Sequence, residues 1–138
     1  MQIEHPDMKI LYLSLFLLLP FVARQNDPIA RTAALIGRGN VHELSKLFAP
    51  TIELTIGGDV NTYSSDQAET ILTKFFEQNK PSGGEMMHKI NAGTSFLFGV
   101  VTVVTRNGTY RIAFTLKKVN NGAQLIELRI ENVKGNKD

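Results

Sequence analysis

From Glu85 nearly to the C-terminus, apolar and polar residues alternate with a period of two, interrupted only by short polar turns. Four strands follow from this pattern: Glu85 to Ala92, Ser95 to Thr105, Thr109 to Lys118 and Gln124 to Asn132. They are joined at Gly93-Thr94, at Asn107-Gly108, where the Asn-Gly pair suits a two-residue hairpin with positive φ angles, and at Asn120-Asn121-Gly122. Connections this short cannot carry the chain back across a sheet, so the four strands form an antiparallel meander. Gly99, inside the longest strand, marks a bulge or sharp bend and so a strongly curved sheet.

The alternation also assigns faces. Tyr110, Ile112, Phe114 and Leu116 share one side of their strand, and Ile126, Leu128 and Ile130 share one side of the last. Burying each large apolar side chain is worth about 1.5–3 kcal/mol, so a one-residue slip that reversed the faces would be decisively unfavourable. Arg111, Lys117, Glu127, Arg129, Glu131 and, from an upstream strand, Glu53 are therefore expected on the outer face. Phe96-Leu-Phe-Gly-Val-Val-Thr-Val-Val breaks the rule by being apolar on both faces. Its outer side is expected to be covered by a second copy of the chain or by another protein.

Upstream, the period changes to that of helices. Asp27-Pro28 is an N-cap followed by proline at the first helical position, with Ile29, Ala33 and Ile36 at helical spacing up to Gly37. Asn40 with Glu43 opens a second helix carrying Val41, Leu44, Leu47 and Phe48 as far as Pro50. Thr51 to Ile56 alternates as a half-buried strand, Asn61 to Tyr63 adds a brief extended piece, and Ser64 with Gln67 caps a third helix. That helix bears the apolar stripe Ala68, Ile71, Leu72, Phe75 and Phe76, and Asn79 to Gly84 reads as a loop.

The N-terminal segment is read as an address. Lys9 precedes the apolar run Ile10 to Ala23, which is too short for the roughly 20 residues of a spanning helix, and Arg24-Gln25-Asn26-Asp27 follows. This predicts a signal peptide over residues 1–23, with 1–7 as an upstream extension before Met8, and a mature domain over 24–138 with no stable membrane span. The protein is thus expected to be exported, periplasmic or secreted. Removing Lys9 from 15 basic residues, and Glu4 and Asp7 from 13 acidic ones, leaves 14 and 11. This mild excess contains no block of like charge, so nucleic acid is not an expected partner.

Composition excludes several chemistries. At 138 residues the chain supports one core. Without cysteine there is no thiolate nucleophile, disulfide or thiolate zinc site, and three histidines are few for metal ligation. Gly37-Arg-Gly-Asn and Gly57-Gly58 lack the spacing and the lysine of a phosphate loop, so neither metal nor cofactor is expected.

Helix, helix, strand, helix and curved antiparallel sheet resemble the nuclear transport factor 2-like, or cystatin-like, superfamily, an α+β cone closed by helices. Val41-His-Glu-Leu-Ser-Lys-Leu-Phe-Ala, Tyr63-Ser-Ser-Asp-Gln-Ala-Glu-Thr-Ile-Leu, Asn107-Gly-Thr-Tyr-Arg and Leu128-Arg-Ile-Glu are similar to a family of small exported bacterial proteins whose domain has no known function. The resemblance spans Ile29 to Glu131 and brings no catalytic residues. It implies the cone and, as in many related families, dimerisation through the sheet.

Enzymes of that superfamily line the cone with ionisable groups. Here His88, alternating with Met86, Ile90 and Ala92, is placed inward as the candidate general base or hydrogen-bond donor to a ligand, and Tyr63 and Tyr110, with hydroxyls near the mouth, join it as candidate ligand-binding residues. His42, beside Glu43, is expected to face solvent, and Asp66 to serve a helix N-terminus. No inward carboxylate at recognisable spacing orients His88. The expectation is therefore a non-enzymatic module with an apolar cone for a small hydrophobic ligand, a sheet face for a homodimer or protein partner, or both. A small isomerase, dehydratase or hydrolase using His88 is the alternative.

Overall fold

A computed structural model of the chain describes residues 27–91 and 95–134. The segment expected to be a signal peptide with its upstream extension, and the expected turn at Gly93-Thr94, lie outside the described residues.

Helix α1 (Pro28–Arg38) starts as its sequence requires. Asp27 Oδ1 accepts from the N–H of Ile29 at 3.0 Å and of Ala30 at 3.3 Å, and Gly39 ends the helix at φ 63°. Helix α2 is a single turn, Val41–Ser45, capped by Asn40. The expected continuation to Pro50 does not occur. Leu47 C=O accepts from Leu125 N–H at 2.7 Å, and Phe48 opens strand β1 (Phe48–Ile56) opposite Leu125. The apolar pair thus serves a sheet pairing, and Pro50 is tolerated because the register is irregular between Phe48 and Glu53.

Strand β2 (Asp59–Ser64) folds back on β1, and helix α3 (Ser65–Gln78) follows with both halves of the Ser64–Gln67 capping box formed. The meander comprises β3 (Pro81–Asn91), β4 (Phe96–Thr105), β5 (Gly108–Val119) and β6 (Gly122–Asn132). One six-stranded sheet results, in the order β2-β1-β6-β5-β4-β3, antiparallel throughout except where β1 runs parallel to β6.

The inner face is buried as the alternation requires: Leu97, Val101 and Val103 of β4, Ile112, Phe114 and Leu116 of β5, and Leu128 and Ile130 of β6. They form one core with Ile29 and Ile36 of α1, Leu44 of α2, Ala68, Leu72 and Phe76 of α3, and Ile52 and Leu54 of β1. Arg111, Lys117, Arg129, Glu131 and Glu53 are exposed, and Glu127 is half-buried.

Three local departures follow from contacts the sequence pattern does not contain. Asn79 to Gly84 is not a loop throughout, because β3 begins at Pro81. Gly84 serves packing: a Cβ there would lie 2.6 Å from the Cα of Gly37, so α1 and β3 meet backbone to backbone at this point. Gly99 is no bulge, since β4 and β5 stay in register through it. The ring of its cross-strand neighbour Phe114 lies over it, and a Cβ there would sit 2.3 Å from Phe114 Cζ. In β6 the register steps between Thr115–Glu127 and Leu116–Leu125, so Ile126 is the extra residue and Leu125, not Ile126, is fully buried.

Candidate functional site

Strand β3 decides where the sequence-derived candidates lie. Met86 stands opposite inward Val101, but the next paired residue, His88, stands opposite Val100, so Met87 is extra. One added residue reverses the alternation beyond it. His88 is consequently exposed on the outer face, which corrects its inward placement. Lys89 takes the inner register opposite Gly99 and pairs with Asp27 at the start of α1.

Tyr63 and Tyr110 are both half-buried against the core. Tyr63 sits opposite Ile52, just before α3. Tyr110 belongs to the other end of that helix: its ring meets Phe75 edge to face at 5.2 Å, and its hydroxyl donates to Asn79 Oδ1 at 3.0 Å. Fourteen helical residues, about 20 Å, separate these positions. His88, Tyr63 and Tyr110 therefore do not converge on one pocket.

The Tyr110 hydroxyl is part of a latch. Buried Asn79 also accepts from Asn107 Nδ2 at 3.2 Å and donates to Phe75 C=O at 3.0 Å, while Asn107 Nδ2 donates to Gln78 C=O at 2.7 Å. The end of α3 is thereby tied to the β4–β5 hairpin. The hairpin turn is Arg106-Asn107, and φ is positive at Gly108 but at no non-glycine residue described, so the expected positive φ at Asn107 is not adopted. His42 is exposed, with Nδ1 3.5 Å from Glu69 Oε1. Lys46 Nζ donates to Glu43 Oε1 at 2.9 Å, and this bond with the lysine's charge holds the Glu43 carboxyl below its usual range.

A largely apolar row lies on the other side of the sheet. Phe96 and Phe98 are each 39% exposed, Val104 48% and Ile90 56%. Phe96, Phe98, Val100, Thr102 and Val104 occupy the outer positions of β4, Ile90 faces Phe98 from β3, Ala113 faces Val100 from β5, and Thr102 separates Val104 from the rest of the row. This apolar strip has His88 on one flank. On the other lies a mixed-sign ladder in which Arg111 stands opposite Glu131, and Arg129 Nη1 is 3.7 Å from Glu131 Oε1. Beneath, the inner face is packed with side chains. A small cleft of about 220 Å³ remains between α1 and the β5–β6 hairpin, bordered by Pro28, Leu47, Leu116 and Ala123.

Among the described residues no group of three or more His, Cys, Asp or Glu side chains could hold a metal ion, and no helix is long and apolar enough to cross a membrane. No curated protein matches the chain. Among solved structures it is similar to a DUF4783 family protein from Bacteroides ovatus ATCC 8483, with 28% identity over 75% of this chain and 93% of that one and a TM-score of 0.71. A domain of unknown function with a cystatin-like fold from Nostoc punctiforme (12% identity, 78% and 74% covered, TM-score 0.60) shares the fold. So does a designed protein described as Rd1NTF2_04 with long sheet (16% identity, 75% and 97% covered, TM-score 0.60). These likenesses agree with an α+β fold of nuclear transport factor 2 type, and the profile of Domain of unknown function (DUF4783) matches residues 29–131, so the chain belongs to that family.

Proposed function

We propose that this protein is an exported, non-enzymatic interaction module that docks a second copy of itself through the outer face of its sheet. The observation that carries the reading is the strip formed by Ile90, Phe96, Phe98 and Val104, which leaves large apolar side chains in water in the described chain. Isolated exposed apolar residues are ordinary, but Ile90, Phe96 and Phe98 adjoin one another on neighbouring strands, and such a cluster marks a contact surface. A second copy suits it because a two-fold contact sets the same patch against itself. Apolar rows then cover one another, and the Arg111, Arg129 and Glu131 border supplies both signs on each side.

Core side chains from the sheet and the helices fill the inner face, so a ligand inside the cone is a weaker basis for function than the sheet face. Export rests on Lys9 and the apolar run Ile10 to Ala23, and predicts a mature N-terminus at Arg24.

Sedimentation velocity of the wild-type protein and of Phe98→Glu tests the reading. The expected result is a wild-type dimer and a folded Phe98→Glu monomer. A wild-type monomer across the accessible concentration range, or a dimer indifferent to the substitution, overturns it.

A further inference from the structure

A second surface, away from the strip, has the geometry of a peptide groove. It lies where α1 borders the edge strand β3, a cavity of about 650 Å³ lined by Ala30, Ala34 and Arg38 of the helix, by Gly83 and Met86 of the strand, and by the Gly37–Gly84 contact between them. We propose that this groove binds the C-terminal end of an extended polypeptide, which adds to the free edge of β3 and sets its terminal carboxylate on Arg38.

Three observations support the assignment. First, β3 is the last strand in the sheet order among the described residues, so the backbone groups it does not use on β4 face outward. Edge strands are usually blunted by proline and bulges, and β3 carries both: Pro81 and an extra residue at Ser82 at one end, and the extra Met87 toward the other. Between them Gly83, Gly84, Glu85 and Met86 pair in regular register with Val104, Val103, Thr102 and Val101. In an antiparallel ladder alternate residues turn both N–H and C=O away from their partner, so this window offers a set of strand hydrogen bonds. Gly83, Gly84 and Glu85 are exposed.

Second, the helix supplies a wall of matching length. From Ala30 to Arg38 is about 12 Å along α1, enough for three or four extended residues. Ala30 and Ala34 leave side-chain room, while Met86 and Val101 give an apolar floor.

Third, the groove is polarised. Gly39 meets Pro81 at the C-terminal end of α1, and Asp27 pairs with Lys89 at its N-terminal end, so helix and strand run in opposite directions. A peptide antiparallel to β3 therefore ends beside Arg38. Arg38 Nε donates to Ala34 C=O at 3.2 Å, which positions the guanidinium, and Arg38 forms no ion pair among the described residues. Its terminal nitrogens match a carboxylate in charge and in geometry. Strand addition with capture of a chain terminus is an established way for a sheet edge to read peptides.

The test uses the purified protein and a fluorescein-labelled pentapeptide pool, randomised over Ala, Val, Leu and Ser at its last four positions, as the free acid and as the C-terminal amide. Anisotropy should show saturable binding of the acid pool and about tenfold weaker binding of the amide. Arg38→Gln should weaken the acid pool by a similar factor and leave the amide unchanged. Backbone amide shifts in ¹⁵N-labelled protein should map to Gly83–Met86. Phe98→Glu should bind the acid pool like wild type, which separates this groove from the dimer surface. No binding of the acid pool up to about 1 mM, equal binding of acid and amide, or shifts confined to the outer strip each overturn the proposal.

Discussion

At single positions the structure shows where chemistry has been traded for packing. Gly99 is glycine because the Phe114 ring occupies the space of its side chain. Gly99→Ala should therefore cost about 1–3 kcal/mol by overpacking, measured by urea unfolding, whereas in a Phe114→Leu background the same change should cost much less. Additive costs would mean that the ring is not the obstacle. The Thr55 hydroxyl is buried without a hydrogen-bond partner among the described residues. Leaving such a group unsatisfied costs about 1–3 kcal/mol, so Thr55→Val should raise the unfolding midpoint, with a gain of about 1 kcal/mol and an unchanged denaturant slope. A lowered midpoint would show that the hydroxyl has a partner after all. Alternation shows that Gly99 belongs to a strand and that Thr55 faces outward. It does not identify what lies across from either, because that depends on strand pairing distant in sequence.

Elements were legible in proportion to how local their causes are. The caps of α1 and α3 lie within four residues of what they cap, and the sequence displays them. The β4–β5 ladder follows from adjacent strands and a short turn. Where β3 places its side chains is another matter. The extra Met87 is a property of the pair β3–β4, invisible in the alternation of β3 alone, and it moves His88 from the expected inner face to the outer one. The end of α2 failed for a similar reason, since Leu47 and Phe48 fit a helix stripe but answer to β6, more than 70 residues away. The Asn79 latch is long-range in the same way and makes a graded prediction. Tyr110→Phe removes one hydrogen bond and should cost about 1 kcal/mol, because Asn79 Oδ1 retains Asn107. Asn79→Ala strands both the Tyr110 hydroxyl and an Asn107 donor, and should cost about 2–3 kcal/mol in the same urea assay. Equal costs would show that the three groups do not act as one unit.

For the whole molecule, the sheet has an apolar inner side, which the helices cover, and an outer side that carries one apolar strip beside a charged ladder. Covering the inner side makes the fold; covering the strip of Ile90, Phe96, Phe98 and Val104 would make an assembly. The distinction has a thermodynamic signature. If folded dimer is in equilibrium with unfolded monomer, mass action adds about 1.4 kcal/mol for each tenfold rise in protein concentration, and the thermal midpoint should climb by a few degrees. Phe98→Glu places a charge where the two strips would meet, and an unpaired charge resists transfer from water into an apolar contact. The variant's midpoint should therefore be independent of concentration, and at the lowest concentrations it should approach that of wild type, because Phe98 belongs to the outer row and not to the inner core. Differential scanning calorimetry over two decades of concentration reads both quantities at once. A wild-type midpoint that does not move would mean that the strip is covered by something other than a second copy. A Phe98→Glu protein that melts far below wild type at every concentration would mean that the strip contributes to the fold itself.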